Sequence, residues 1–104
     1  MVIYMNKFDN IKEIINELLK IYDSEYKRLK PNVDYIIKNN IKDIKYIEQI
    51  LEQLLNIPYE PCNKLFIRLC KYVENFNKEM SDEYMDLFNK LYNEENVKTK
   101  KKKM

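Results

Sequence analysis

The chain reads as all-α: an antiparallel four-helix bundle followed by a disordered, lysine-rich C-terminal tail. Three observations predict this. Apolar residues recur at steps of three and four through most of the sequence, the period of a helix buried along one side. The segments that carry this period are joined by short connectors, and short connections favour antiparallel neighbours. The 104 residues include no Gly, so tight turns needing positive φ must use Asn or Asp, which disfavours short-turn β architectures. A chain of this length suits one compact domain with a modest core. The expected division is a helical domain over 1–96 and a flexible basic tail over 97–104.

The first helix is expected to start near Asn6 or Lys7. Phe8, Ile11, Ile15, Leu18 and Tyr22 repeat at helical spacing, and Ile14, Leu19 and Ile21 widen the stripe. Asp23-Ser24 is a weak point, and Pro31 sets the limit because a residue before proline is pushed out of the α region. The second helix is expected from Val33 to Asn56, about 36 Å long at ~1.5 Å per residue. Asn32 would cap it, and Asp34 would complement its dipole. Its apolar face runs from Val33 through Ile36/Ile37, Ile41, Ile44 and Ile47 to Ile50/Leu51 and Leu54/Leu55. This longest stripe is the one the other helices are expected to cover.

The third helix follows a stiff connector with two prolines, Pro58 and Pro61. Pro61 fits its first turn, where the missing N–H costs nothing. Leu65, Phe66, Leu69, Val73 and Phe76 form the inner face, with Tyr72 at its border. The fourth helix is expected to start at an N-cap Ser81, with Asp82 and Glu83 in its first turn and Met80 and Met85 as a hydrophobic staple. Tyr84, Leu87, Phe88 and Leu91 make its stripe, which fades near Asn93–Asn96. The remaining VKTKKKKM has almost nothing to bury.

The net charge is +2, but it is unevenly distributed. Lys98, Lys100, Lys101, Lys102 and Lys103 leave residues 1–97 with fourteen basic against seventeen acidic side chains, a net of −3. A mildly acidic body with a basic tail is unlike a uniformly basic nucleic-acid domain. Thirteen Ile and thirteen Asn, with no Ala, fit an AT-rich genome. Cys62 and Cys70 on one helix stand roughly 12 Å apart along its axis, too far for a disulfide. Two thiols without His are also too few for a structural zinc site. Free, buried thiols suit a reducing cytoplasm. The N-terminal MVIYMNKFD is too short for a signal peptide, and no run approaches the ~18 apolar residues of a membrane span. A cytoplasmic protein, with peripheral contact at the inner face of the membrane open to it, is the expectation.

Little in the chain suggests catalysis. Without His, the commonest general base is absent, and the Glu-x-x-His ligand pattern of helical di-iron proteins cannot be formed. Glu13/Glu17 and Glu48/Glu52 are carboxylate pairs on polar helix faces among lysines, which reads as solvated charge. No enzyme activity, cofactor, metal site or small-molecule substrate is expected. Lys64, Arg68 and Lys71 share a face of the third helix and form a candidate ridge for an acidic partner, or an exposed face paired with Glu60 and Glu74. Nine tyrosines suit an interface as readily as they suit coding bias, and Tyr35, Tyr46 and Tyr59 lie off the cleanest stripes. The five tail lysines offer weak, unspecific attraction to nucleic acid or an anionic membrane, or serve solubility.

One set of residues is similar to a known family. Ile14-Ile15-Asn16-Glu17-Leu18, Leu51-Glu52-Gln53-Leu54, Pro61, Leu65, Arg68-Leu69, Tyr72, Ser81-Asp82-Glu83-Tyr84, Leu87 and Leu91 resemble, in order and rough spacing, the immunity proteins of class IIa (pediocin-like) bacteriocins, especially the enterocin A immunity type. The resemblance spans most of residues 10–95. It implies an antiparallel four-helix bundle in the cytoplasm of a bacteriocin producer, acting on the mannose phosphotransferase permease once bacteriocin has engaged it. It also implies that specificity lies in the C-terminal half, here the third and fourth helices and Val97–Met104, although this tail is shorter than the family's and nearly all lysine. Two other expectations stand beside it. One is a phage- or mobile-element-encoded inhibitor of a host nuclease or defence complex, of the anti-CRISPR kind; the other is a nucleic-acid accessory protein using the tail and the Lys64/Arg68/Lys71 ridge.

Overall fold

The computed structural model describes residues 2–92, with side chains from residue 10 onward in that range. Four helices account for nearly all of it: α1 (Val2–Lys38), α2 (Ile44–Leu55), α3 (Glu60–Glu74) and α4 (Lys78–Tyr92). The expected all-α, four-helix architecture is what the chain forms, although α1 starts at Val2 rather than near Asn6 or Lys7 and three other expected helix boundaries move. The expected tail, with Lys98, Lys100, Lys101, Lys102 and Lys103, lies outside the described residues.

The first of these three is Pro31, which lies inside α1. An interior proline costs about 3 kcal/mol, but Leu29, Val33 and Ile36 on either side of it are all fully buried. At ~1.5–3 kcal/mol for each buried side chain, packing outweighs the proline. Pro31 is itself exposed, as is Lys27, whose carbonyl one turn earlier loses its N–H donor. Lys30 and Asp34 bridge the position at 2.8 Å. Asp23, expected as a weak point, also lies within the unbroken helix.

The real break comes inside the stretch that was expected to be one long second helix. Asn39 and Asn40 form a turn, and Asn40 takes φ 54°. Asn40 N–H donates to the Ile37 carbonyl at 3.4 Å and Ile41 N–H to the Ile36 carbonyl at 2.9 Å. This pair of bonds is the Schellman closure of a helix, with Asn in the left-handed position that Gly usually takes. The hydrophobic contact that accompanies such a closure keeps the apolar period running straight through it, since Ile36 is in the core and Ile41 packs against it. Asp43 then caps α2, its carboxylate accepting from Tyr46 N–H at 3.3 Å.

Helix α3 begins as expected, with Pro61 in its first turn and Cys62, Leu65, Phe66, Leu69, Cys70 and Val73 buried. Helix α4 starts three residues before the expected Ser81. Asn77 is the cap, accepting from Met80 N–H at 3.1 Å. Ser81 is instead buried within the helix, where its hydroxyl donates to the Cys70 carbonyl at 2.9 Å. The inner face of α4 is Met80, Ser81, Tyr84 and Phe88; Leu87 and Leu91, expected in the core, are 46% and 59% exposed.

Helix α3 packs against each of the other three. Phe66, fully buried, stacks on Phe88 at 5.2 Å and meets Tyr84 edge-on at 6.4 Å. The Tyr72 hydroxyl reaches the Ile41 carbonyl ahead of α2, so α2 and α3 run antiparallel. The Ser81–Cys70 bond sets α4 antiparallel to α3, and Tyr92 donating to the Leu55 carbonyl brings the ends of α2 and α4 together. Arg68 pairs with Asp34 at 2.6 Å, and Arg28 donates to Gln53 at 2.6 Å. These contacts hold the C-terminal half of α1 to α3 and α2.

The left-handed Asn40 gives a direct test. Asn40→Val should lower stability by about 1–2 kcal/mol, because a β-branched side chain clashes in that region. The expected melting-temperature loss is roughly 5–10 °C. Asn40→Gly should melt at or slightly above the wild type; thermal unfolding followed by circular dichroism separates the two.

Candidate interaction surface

The apolar stripe of α1 changes surroundings along its length. From Tyr22 onward it lies on the body, and Leu29, Val33 and Ile36 are buried. Before Tyr22 it does not. Ile11, Ile14, Ile15, Leu18, Leu19 and Ile21 are all between 42% and 65% exposed. The N-terminal part of α1 is therefore an arm projecting from the bundle, in a molecule of 60 × 42 × 17 Å. Ile14, Leu18 and Ile21 line a shallow apolar depression rimmed by Asn10, Glu13 and Glu17. The polar side carries Asn16 and Lys20, with Lys20 and Glu17 3.7 Å apart.

A cluster of polar and aromatic contacts fixes where the arm leaves the body. Tyr59, in the connector before α3, sits against Tyr22 and Tyr26 at ring distances of 6.2 and 6.5 Å. Its hydroxyl donates to Asp23 at 3.0 Å, and Lys27 pairs with the same carboxylate at 3.1 Å. Lys27 and then Tyr59 hold the Asp23 carboxyl below its ordinary range, while Asp23 raises the Tyr59 hydroxyl. Tyr59, although off the cleanest stripes, is half-buried, as is Tyr46, which packs on the core. Tyr35 alone of those three is exposed, at 56%.

The basic ridge is present but partly engaged. Lys64, Arg68 and Lys71 are exposed on α3, yet Lys64 faces Glu60 at 3.7 Å and Arg68 is tied to Asp34. Lys30 and then Arg68 draw the Asp34 carboxyl below its ordinary range. Tyr26, Lys30, Pro61, Lys64, Leu65 and Arg68 line a small cleft between α1 and α3. On the far side, Glu48, Glu79 and Glu83 flank a cleft between α2 and α4, and the Tyr84 hydroxyl there donates to Glu52 at 3.1 Å. Burial first, and then Glu52, raise the Tyr84 hydroxyl. Glu13 and Glu17 stand exposed on the arm. Among the described residues no group of His, Cys, Asp and Glu is arranged to hold a metal ion, and no helix is long and apolar enough to cross a membrane.

The two cysteines are free and buried. Burial pushes Cys62 up to about 11 and Cys70 up to about 12. At neutral pH both are protonated and poor nucleophiles. The arm is thus the one large feature of the described surface whose side chains lack the surroundings their chemistry favours. Its residues were visible in the sequence, but only as a stripe assigned to the core. Compared with known proteins, the chain matches no family model, no curated protein and no solved structure.

Two outcomes follow from these electrostatics. Asp23, Glu25 and Asp34 all have carboxyl pKa values lowered by Lys27, Arg28 and Lys30 as the first cause of each. The unfolded chain binds protons more readily at these sites. Their stabilisation is full above about pH 4 and is lost as pH falls through the lowered folded values. The melting temperature should drop as pH falls below about 4, and Asp34→Asn should flatten part of that drop. Separately, an aromatic disulfide reagent at about pH 8 should titrate neither thiol in the native protein and both in urea.

Proposed function

We propose that this protein is a non-enzymatic binding protein that works by docking the apolar face of the α1 arm against another protein surface. The observation that carries the reading is the run of six exposed Ile and Leu side chains from Ile11 to Ile21 on one projecting helix. Together they present roughly 600 Å² of surface, at the upper end of what a single soluble chain ordinarily leaves as one apolar patch. Amphipathic helices recognise partners with anchors at this spacing of three and four. The clamp of Tyr59 on Tyr22, Tyr26 and Asp23 holds the arm in a fixed direction, which lowers the ordering cost of docking.

The immunity role implied by the bacteriocin-family resemblance is one specific form of this proposal, with the permease complex as partner. That resemblance would put specificity in α3, α4 and the tail, whereas the run of six exposed Ile and Leu side chains is on α1. The ridge of Lys64, Arg68 and Lys71 would then be a secondary contact, since Glu60 and Asp34 already engage two of its members.

The test uses the full chain and an Ile15→Glu/Leu18→Glu variant as baits at about 0.1 and 0.5 M salt, where exposed charges are screened and apolar contacts are not. Both substitutions fall on exposed positions, so the variant should melt within a few degrees of the wild type. Protein held by the wild type at both salt concentrations and lost from the variant supports the arm as the working surface. Expression in a bacteriocin-sensitive strain tests the narrower role: protection abolished by the double substitution supports immunity through the arm. Equal retention of every partner by both baits would overturn the proposal.

A further inference from the structure

Resting on that reading of the arm, we propose that its occupant is a second copy of this chain, the two α1 arms pairing antiparallel in a two-fold symmetric dimer. Three other occupants fit the chemistry less well. Residues 93–104 contain just Val97 and Met104 as apolar side chains. Such a sequence cannot cover a face of six Ile and Leu. An anionic membrane favours helices whose polar side is rich in Lys and Arg, but here Lys12 and Lys20 are balanced by Glu13 and Glu17, with Asn10 and Asn16 between them. A strongly charged partner is disfavoured for the same reason.

A second copy answers both the area and the pattern. Two arms would together cover roughly 1,200 Å², the lower edge of a specific and stable interface. Ile11, Ile15, Leu18 and Tyr22 follow the alternating steps of four and three that define a coiled-coil seam, and Ile14, Leu19 and Ile21 broaden it on both flanks. A face this wide suits an isologous contact, in which the same patch serves both chains and the assembly closes. Antiparallel pairing opposes the two helix dipoles and places the two bodies at opposite ends of the paired arms. In the register that sets Ile15 against the second copy's Leu18, Ile14 lies beside Ile21 and Lys12 beside Leu19. There the aliphatic stem of Lys12 covers apolar surface while its ammonium stays in water. No like charges face each other across that seam.

The experiment is light scattering of the full chain on a sizing column, with the Ile15→Glu/Leu18→Glu variant beside it. The wild type should run at twice the chain mass of 12.8 kDa, with no change between about 0.1 and 0.5 M salt. The variant should run at the single-chain mass, with helical circular dichroism and protected Cys62 and Cys70 showing that its body is folded. To fix direction, Ile15→Cys and Leu18→Cys chains are mixed and oxidised; the mixed pair should cross-link faster than either alone, while the buried native thiols stay silent. A wild type at single-chain mass at about 100 µM, well above the concentration at which a micromolar dimer dissociates, would overturn the second copy. It would leave docking to another protein standing, to be judged by the bait experiment. A variant that keeps twice the chain mass would also overturn it, because the contact would then lie elsewhere.

Discussion

The burial of one broad face of α3, centred on Phe66, is the constraint on which the rest of the body depends. Cys62, Leu65, Phe66, Leu69, Cys70 and Val73 form one face roughly 140° wide on a 15-residue helix, broader than the stripe a single neighbour covers. Helices α1, α2 and α4 all pack against α3 for that reason. The closest fit is to α4. There Ser81 and Cys70, both small, meet through the hydroxyl–carbonyl bond, and Phe66 lies between Tyr84 and Phe88. Replacing Phe66 with a small residue would open a cavity in the layer every helix shares, and such cavities are what make core truncations expensive.

The tyrosines complete what the aliphatic core begins. Tyr72 donates to the Ile41 carbonyl, Tyr92 to the Leu55 carbonyl, Tyr84 to Glu52 and Tyr59 to Asp23. In each case the ring packs with one element and the hydroxyl reaches the next. One of the acceptors, Leu55, is the last residue of α2, where carbonyls run out of helical partners; another, Ile41, lies in the connector before α2. These residues are structural ties between elements. Of the nine tyrosines, these four stand at the seams between elements.

Much of the fold was legible in the sequence, and the missed parts have physical causes. The inner faces of α2 and α3, Pro61 at the start of α3, and the burial of both cysteines follow from periodicity, proline chemistry and spacing. Pro31 was misread because a local rule about the residue before proline yielded to Leu29, Val33 and Ile36 burying on both sides of it. Asn39-Asn40 was misread because a Schellman closure brings Ile36 and Ile41 together and so preserves the period it interrupts. The absence of Gly had already assigned positive-φ duty to Asn or Asp; which Asn would take it was decided by packing. Ser81 looked like a cap by residue type, but Asn77, three residues before Met80, holds the geometry that a cap needs.

The arm was the least legible part, because amphipathic period reports that a face will be covered without saying by what. Helix lengths decide the matter. At ~1.5 Å per residue, the 37 residues of α1 span about 55 Å, whereas α2, α3 and α4, at 12, 15 and 15 residues, span only about 18–23 Å. Three short helices can bury one length of the long one, and they take the C-terminal half, where Tyr59 and Arg68 fasten it through Asp23 and Asp34. The N-terminal half then extends past the other described helices. A break at Pro31 would have produced helices of similar length and hidden this mismatch. The continuity of α1 through Pro31 is therefore what turns an ordinary core stripe into an apolar surface that no other described element covers.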